Sequence, residues 1–206
     1  FLFRVEADPA EGQPTRALND YELATRLSYF LWSSMPDAEL FSLARQDVLR
    51  NDGVLERQVE RMLQDPKSAA FVENFAGQWL NLGKLAQAEP DPDRFPEFDE
   101  ALRQAMKTET ELFFTEFVIK DLNILDFLDA NFTFLNGRLA RHYKISDVDG
   151  EEFRKVSLLN VNRSGVLSHA SILTLTSNPT RTSPVKRGKW ILENILGTPP
   201  PDPPPG

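Results

Sequence analysis

The chain has 206 residues, of which 41% are hydrophobic and 15 are Phe, enough to bury a real core as one ordinary domain or two small ones. Its net charge of −8 argues against a nucleic-acid partner, which requires a basic surface, and no apolar run approaches the ~18–20 residues that cross a bilayer. With no cysteine and only His142 and His169 as histidines, it lacks the ligands for disulfides, thiolate nucleophiles, zinc–thiolate or iron–sulfur centres, Cys-x-x-Cys-His haem attachment and multi-histidine metal sites.

Residues 1–16 read as a loose N-terminal segment. No basic, leader-like start precedes Phe1-Leu2-Phe3, and a chain that begins without Met is expected to have its natural start upstream. In "NDYELATRLSYFLWSS", Asn19 and Glu22 have the spacing of a capping box. Leu23, Ala24, Leu27, Phe30 and Leu31 form the predicted buried stripe. Pro36 suits the first turn of a second helix, "MPDAELFSLARQDVL". "DGVLERQVERMLQD" is a third, with Val54, Leu55, Val59, Met62 and Leu63 on one face. Pro66 opens a fourth, "PKSAAFVENFAGQWLNLG", which Gly83 is expected to terminate.

Three prolines make "EPDPDRFPEF" a surface loop. "PEFDEALRQAMKTETELFFTEFVIKD" is the longest predicted helix, about 24 residues or roughly 36 Å. A short helical turn is expected at 123–128, then an extended piece and a helix from Asn136 to Tyr143. "ISDVDGEEFRKVSLLNVNRSG" is a turn-rich connection with room for one small hairpin near 150–162. "SHASILTLTS" predicts a short helix and residues 184–196 the last, ended by Gly197 and Pro199. The fold class read from this pattern is all-α: an irregular bundle of about seven or eight helices. A first helical module over 17–145 and a smaller one over 146–196, packed on the first, are expected. The proline-rich 197–206 should extend as a polyproline spacer to a further domain.

On the long helix, Phe98, Leu102, Ala105, Leu112 and Phe113 share a face with Glu109 and Glu116 near its centre. A buried carboxylate must be paired or protonated. Arg26, Arg138 or His142 are the expected structural partners, so Glu109, Glu116, Arg138 and His142 form a candidate buried polar cluster. The alternative is a pair of metal ligands or an acid–base pair, but the Glu-x-x-His companions of a di-iron centre are absent. His142 and His169 read as packing histidines.

"SPVK" (183–186) satisfies Ser-x-x-Lys, yet no Lys-Thr-Gly or Ser-x-Asn companion accompanies it. Ser183 is better read as an N-cap with Pro184 at the first helical position. "DVDGEE" (147–152) is a turn, since its glycine falls two places early for a calcium loop. No dinucleotide, P-loop, nucleophile-elbow or zincin motif occurs, and no catalytic residue or metal ligand is assigned.

Residues 181–190 carry four basic groups and no acidic one, whereas residues 1–180 carry a net −10. Arg181, Ser183, Lys186 and Arg187 are therefore candidates for anion or partner binding. An acidic side chain of the 1–180 region is the expected anion, and an external anion or partner is the alternative. Val185, Gly188, Ile191, Leu192 and Ile195 form the predicted buried face, with Gly188 allowing close approach of another helix.

"YELATRLSYFLWSSMPD", "ETELFF", "LDANFTFLNGRLARHYKI" and "VLSHASILTLTSNPTRTSPVKRGKWILENILGTPPPDPPP" together resemble two consecutive modules of unknown function from large planctomycete proteins, the cytochrome-associated PSCyt/PSD domains. The resemblance covers nearly all of residues 17–206. It implies an exported, extracytoplasmic, multidomain parent with a c-type haem domain elsewhere, acting in redox or polysaccharide metabolism. Any such haem lies outside this segment, because the segment has no cysteine. The partners so implied are neighbouring domains of the same chain, and no oligomeric state is implied. A non-catalytic scaffold or docking module is the leading expectation; an enzyme domain and an electron-transfer docking surface are the alternatives.

Overall fold

Short-range side-chain caps set most helix starts in this chain, and a computed structural model describes residues 6–201. Asn19 Oδ1 accepts from the Glu22 N–H at 2.9 Å while Glu22 Oε2 accepts from the Asn19 N–H at 2.9 Å, completing the predicted capping box of α1 (Asp20–Trp32). Arg16 clamps the same Glu22 carboxylate through both oxygens, at 2.6 and 2.7 Å, and holds it near a pKa of about 2. Asp37 caps α2 (Ala38–Arg45), so Pro36 precedes the cap instead of entering the first turn. Gly53, with a left-handed backbone, precedes α3 (Val54–Gln64).

These three helices and the short α4 (Ala69–Phe71) belong to the first of two compact units, which divide between Phe71 and Val72. Its interior gathers Ala24, Leu31, Trp32, Leu40, Ala44, Leu49 and Met62. Trp32 donates its indole N–H to the Met62 carbonyl at 2.9 Å. Asp20, also buried, accepts from the Leu49 N–H and from Arg50 Nε at 2.7 and 2.5 Å. Two of the predicted stripes sit differently: Phe30 is 57% exposed and lies edge-on to Phe71, and of the α3 face only Met62 is fully enclosed.

The second unit opens with a π-helical turn, Val72–Ala76, and α5 (Gly77–Trp79). The single fourth helix predicted over this region is instead a succession of 3-10, α and π turns. Gly83 does not end it. Asn81 takes the left-handed position at φ 59° and a 3-10 helix continues through Gly83 over Leu82–Gln87, since Asn tolerates that conformation nearly as well as Gly. Next comes α6 (Glu100–Ile119), capped by Asp99. It is 20 residues long, shorter than predicted because Asp99 caps it downstream of the prolines. A 3-10 turn at Ile124–Leu128, β1 (Phe132–Leu135) and α7 (Gly137–Tyr143) follow, the last capped by Asn136 as the sequence suggests.

The hairpin expected near 150–162 is absent. Residues Arg154–Ser157 form β2, which pairs antiparallel with β1, Phe132 opposite Ser157 and Leu135 opposite Arg154, with α7 lying between them in sequence. After α8 (Ala170–Leu175), β3 (Ser177–Asn178) and β4 (Arg181–Thr182) make a second small antiparallel pair. The last helix, α9 (Pro184–Trp190), passes into a π turn at Ile191–Ile195. The protein is mostly helical, 54% helix with nine α-helices among the described residues, and all-α needs correcting by these two strand pairs.

Around α6 pack two kinds of interior. Leu85, Leu102, Ala105, Met106, Leu135, Leu139 and Val148 form an aliphatic core. Phe113 and Phe117 lead an aromatic one with Phe127 and Phe132, ring centroids 5.0–6.0 Å apart. Gly165 closes this region. Its φ is +54° and a Cβ there would stand 2.1 Å from the Leu128 carbonyl, so only glycine fits. The predicted buried face of the last helix is corrected at its start: Val185 is 82% exposed and Gly188 faces open space, whereas Ile191, Leu192 and Ile195 are half-buried and the fully buried residue is Trp190. Of the loose N-terminal segment, residues 6–16 carry no helix or strand and 1–5 lie outside the described residues. The proline-rich spacer is described only to Pro201, without regular structure from Thr198.

Candidate functional site

Helix α6 places Glu109 in the middle of the second unit with 0% of its surface exposed. Thr133 from β1 donates to its Oε1 at 2.7 Å, and the Tyr143 hydroxyl from α7 donates to Oε2 at 2.5 Å. The Tyr143 oxygen in turn accepts from the Ala170 N–H at 2.7 Å. One residue along α6, Thr110 Oγ1 lies 3.0 Å from His169 Nδ1 and 2.7 Å from Ser171 Oγ. His169 stands edge-on to Phe113 and its Nε2 has no partner. The Arg163 guanidinium lies 3.8 Å from the centre of the Tyr143 ring and donates to the Ser168 carbonyl at 2.6 Å.

Burial dominates the electrostatics. Loss of water pushes Glu109 up to about 7 despite the two hydroxyl donors. Burial, with Arg163 near, lowers His169 to about 3, and burial beside Glu109 raises Tyr143 well above the usual phenol range. His142 is lowered too, by burial first and then by Arg163 and Arg138. The histidines are thus neutral near pH 7.

The predicted polar cluster is not assembled as expected. Glu116 lies two turns from Glu109 and accepts from Lys155 Nζ at 2.8 Å, with 21% of its side chain exposed. Arg138 donates to the Glu97 carbonyl and to Asp99, while Arg26 pairs with Glu6. His142 lies against the Tyr143 ring. None of these three satisfies Glu109; two hydroxyls do. Thr133 and Tyr143 were missed because they lie 24 and 34 residues away in sequence. The one usable signal was that Tyr143 sits in the same short helix as Arg138 and His142.

A cleft of about 880 Å³ opens within the second unit, with Arg163 and Ala170 of the network's surroundings in its lining. That volume falls in the ~300–1,000 Å³ range of small-molecule sites. Its lining carries six basic groups, Lys84, Arg94, Arg163, Arg181, Lys186 and Lys189, against three acidic ones, Glu89, Glu97 and Glu193. Among the described residues only Lys189 of those six is ion-paired, with Glu193 at 3.5 Å. Phe95, Phe98, Leu102, Met106, Leu173 and Trp190 supply apolar wall, and the buried Trp190 indole N–H has no acceptor.

Arg181 and Lys186 therefore line the cleft, without the internal carboxylate partners expected of them. Lys186 Nζ reaches the Ser177 carbonyl at 3.4 Å. Arg187 donates to Oγ1 of the cleft-lining Thr176 at 3.3 Å and is not itself among the lining residues. Ser183 Oγ accepts from the Lys186 N–H at 3.3 Å, which is the cap and not a nucleophile–base pair. Among the described residues no group of three His, Asp or Glu is arranged to hold a metal ion, and no helix is long and apolar enough to cross a membrane.

The chain belongs to PSD4, Protein of unknown function (DUF1592), whose family model matches residues 18–145. PSCyt3, Protein of unknown function (DUF1588), matches residues 163–206. They are two consecutive planctomycete cytochrome-associated domains. The first match runs across the division between the two compact units, and the second begins within the later one. No curated protein and no solved structure matches the chain.

Proposed function

We propose that this chain is a non-catalytic docking module of an exported, multidomain protein that also carries a c-type cytochrome domain. The reading rests on one observation: among the described residues, five basic side chains around the cleft, Lys84, Arg94, Arg163, Arg181 and Lys186, have no carboxylate within ion-pair distance, in a chain of net charge −8. Unpaired basic groups gathered in one concavity attract anionic groups and steer their approach. The buried Glu109 supports the non-catalytic side of the proposal, since both its oxygens are occupied by hydroxyl donors of the core.

The anionic group received is an acidic surface of the neighbouring cytochrome domain. Arg181 and Lys186 are exposed, so reversing both charges leaves the core intact. Titration calorimetry of the chain against the cytochrome domain of the same parent protein provides the test. Arg181→Glu with Lys186→Glu is expected to weaken association at least tenfold at low salt and to flatten its salt dependence. Equal affinity for the wild type and the double variant rejects the reading.

A further inference from the structure

We propose that the cleft of the second unit is itself a binding site for a small aromatic organic anion, a flat ring bearing a carboxylate or phosphate group. This goes beyond the docking of a neighbouring domain, because it requires no partner protein. The cleft has two chemically distinct parts. Phe95, Phe98 and Trp190, with Pro90, Pro96 and Pro179, give it flat apolar walls, and flat walls suit an aromatic ring better than a flexible chain. Arg94, Arg181 and Lys186, without carboxylate partners among the described residues, bring charge to the same volume. Ligand sites have this composition: mostly apolar lining with a few convergent polar groups.

Two further observations point to an occupant. The indole N–H of Trp190 is buried at the cleft wall without an acceptor, a state that costs free energy unless something accepts from it. The Arg94 guanidinium is held in place by donation to the Thr180 carbonyl at 3.1 Å, and the Asp91 N–H by donation to the Pro179 carbonyl at 3.0 Å. The loop at 89–98 is thereby tied to the β3–β4 turn, and side chains from both line the cleft. Neither inorganic phosphate alone nor a neutral ring uses both parts. A hydrogen bond from Arg or Lys to an anionic headgroup contributes more than one to a neutral group, a difference expected to read as roughly tenfold in affinity.

The test uses four probes on the whole chain: 2-naphthoate, 2-naphthyl phosphate, the neutral 2-naphthalenemethanol and inorganic phosphate. Binding is read by titration calorimetry and by amide and indole chemical-shift changes. At least one of the two aromatic anions is expected to bind ten times or more tightly than the alcohol and than inorganic phosphate. Which one binds better distinguishes a carboxylate from a phosphate ligand. The Trp190 indole resonance is expected to shift while that of Trp32 stays in place. Arg181→Glu with Lys186→Glu, checked for an unchanged circular dichroism spectrum, should abolish the preference for anions. Equal binding of anion and alcohol overturns the proposal, as do shifts confined to residues outside the cleft or no binding at millimolar probe. Failure of the wild-type chain to associate with the cytochrome domain, with probe binding present, refutes only the docking function, and the converse refutes only this one.

Discussion

The Tyr143 hydroxyl stands between the Glu109 carboxylate, to which it donates at 2.5 Å, and the Ala170 N–H, from which it accepts at 2.7 Å. One phenol oxygen therefore joins α6, α7 and the start of α8 in a site from which water is excluded. Tyr143→Phe removes the shared partner and leaves two buried groups unsatisfied. The expected loss is about 2–4 kcal/mol of unfolding free energy, read by urea denaturation. A loss below about 0.5 kcal/mol would show that the link carries no stability.

Two fully buried groups pull the pH response in opposite directions. Glu109 is raised from 4.5 to about 7, so between those values the folded state holds a proton that the unfolded state has lost, and stability falls as pH rises. His169 is lowered from 6.5 to about 3, so in that interval the unfolded state holds the extra proton, and stability rises with pH. Their slopes cancel between about pH 4.5 and 6.5. Glu109→Gln is expected to remove the falling component, leaving a curve that climbs by about 3 kcal/mol relative to wild type between pH 4.5 and 7. Parallel denaturation-midpoint profiles for the two proteins would exclude this linkage.

Glu116 is a contrasting control on the same helix. Its ion pair with Lys155 is partly exposed, with side chains 21% and 46% accessible. Glu116→Gln should cost no more than about 1 kcal/mol, and less at high salt. A cost matching that of Tyr143→Phe would contradict a surface role.

Glycine substitutions separate two positions. Gly165→Ala forces a Cβ to within 2.1 Å of the Leu128 backbone at a positive φ and is expected to cost about 3 kcal/mol or more. Gly188→Ala meets nothing within 4 Å inside a helix, and is expected to stabilise by about 0.5–1 kcal/mol. Thermal melts of the two variants should move in opposite directions. Destabilisation by Gly188→Ala would restore the close helix approach predicted from the sequence.

At the N-terminal cap of α1, Asn19→Ala deletes the acceptor for the Glu22 N–H and should cost about 1 kcal/mol. Amide exchange at residues 20–23 should speed up while exchange at Glu109 stays unchanged. Equal acceleration at both places would mean that the chain opens in a single step.

Features confined to three or four residues were legible before any coordinates. The Asn19–Glu22 box, the Ser183 cap with Pro184 behind it, and the Asn136 start of α7 all follow from local hydrogen-bonding geometry. Burial of Glu109 was legible as well, because it lies on the apolar stripe of a periodic helix. Its partners were not. Helical periodicity is silent about which distant hydroxyl a buried carboxylate meets, and equally about why β2 pairs with β1 across an intervening helix. The exposed start of α9 has the same origin: Val185 and Ile191 are both β-branched apolar residues of one amphipathic pattern, and only the packed neighbours decide that the first meets water while the second is half-buried. The sequence by itself determined the helical character and its caps, since both depend on interactions within a turn or two of the chain. The sealed Glu109 network and the basic cleft were decided by tertiary structure, because both join residues dozens of positions apart whose meeting depends on loop closure and on what excludes water.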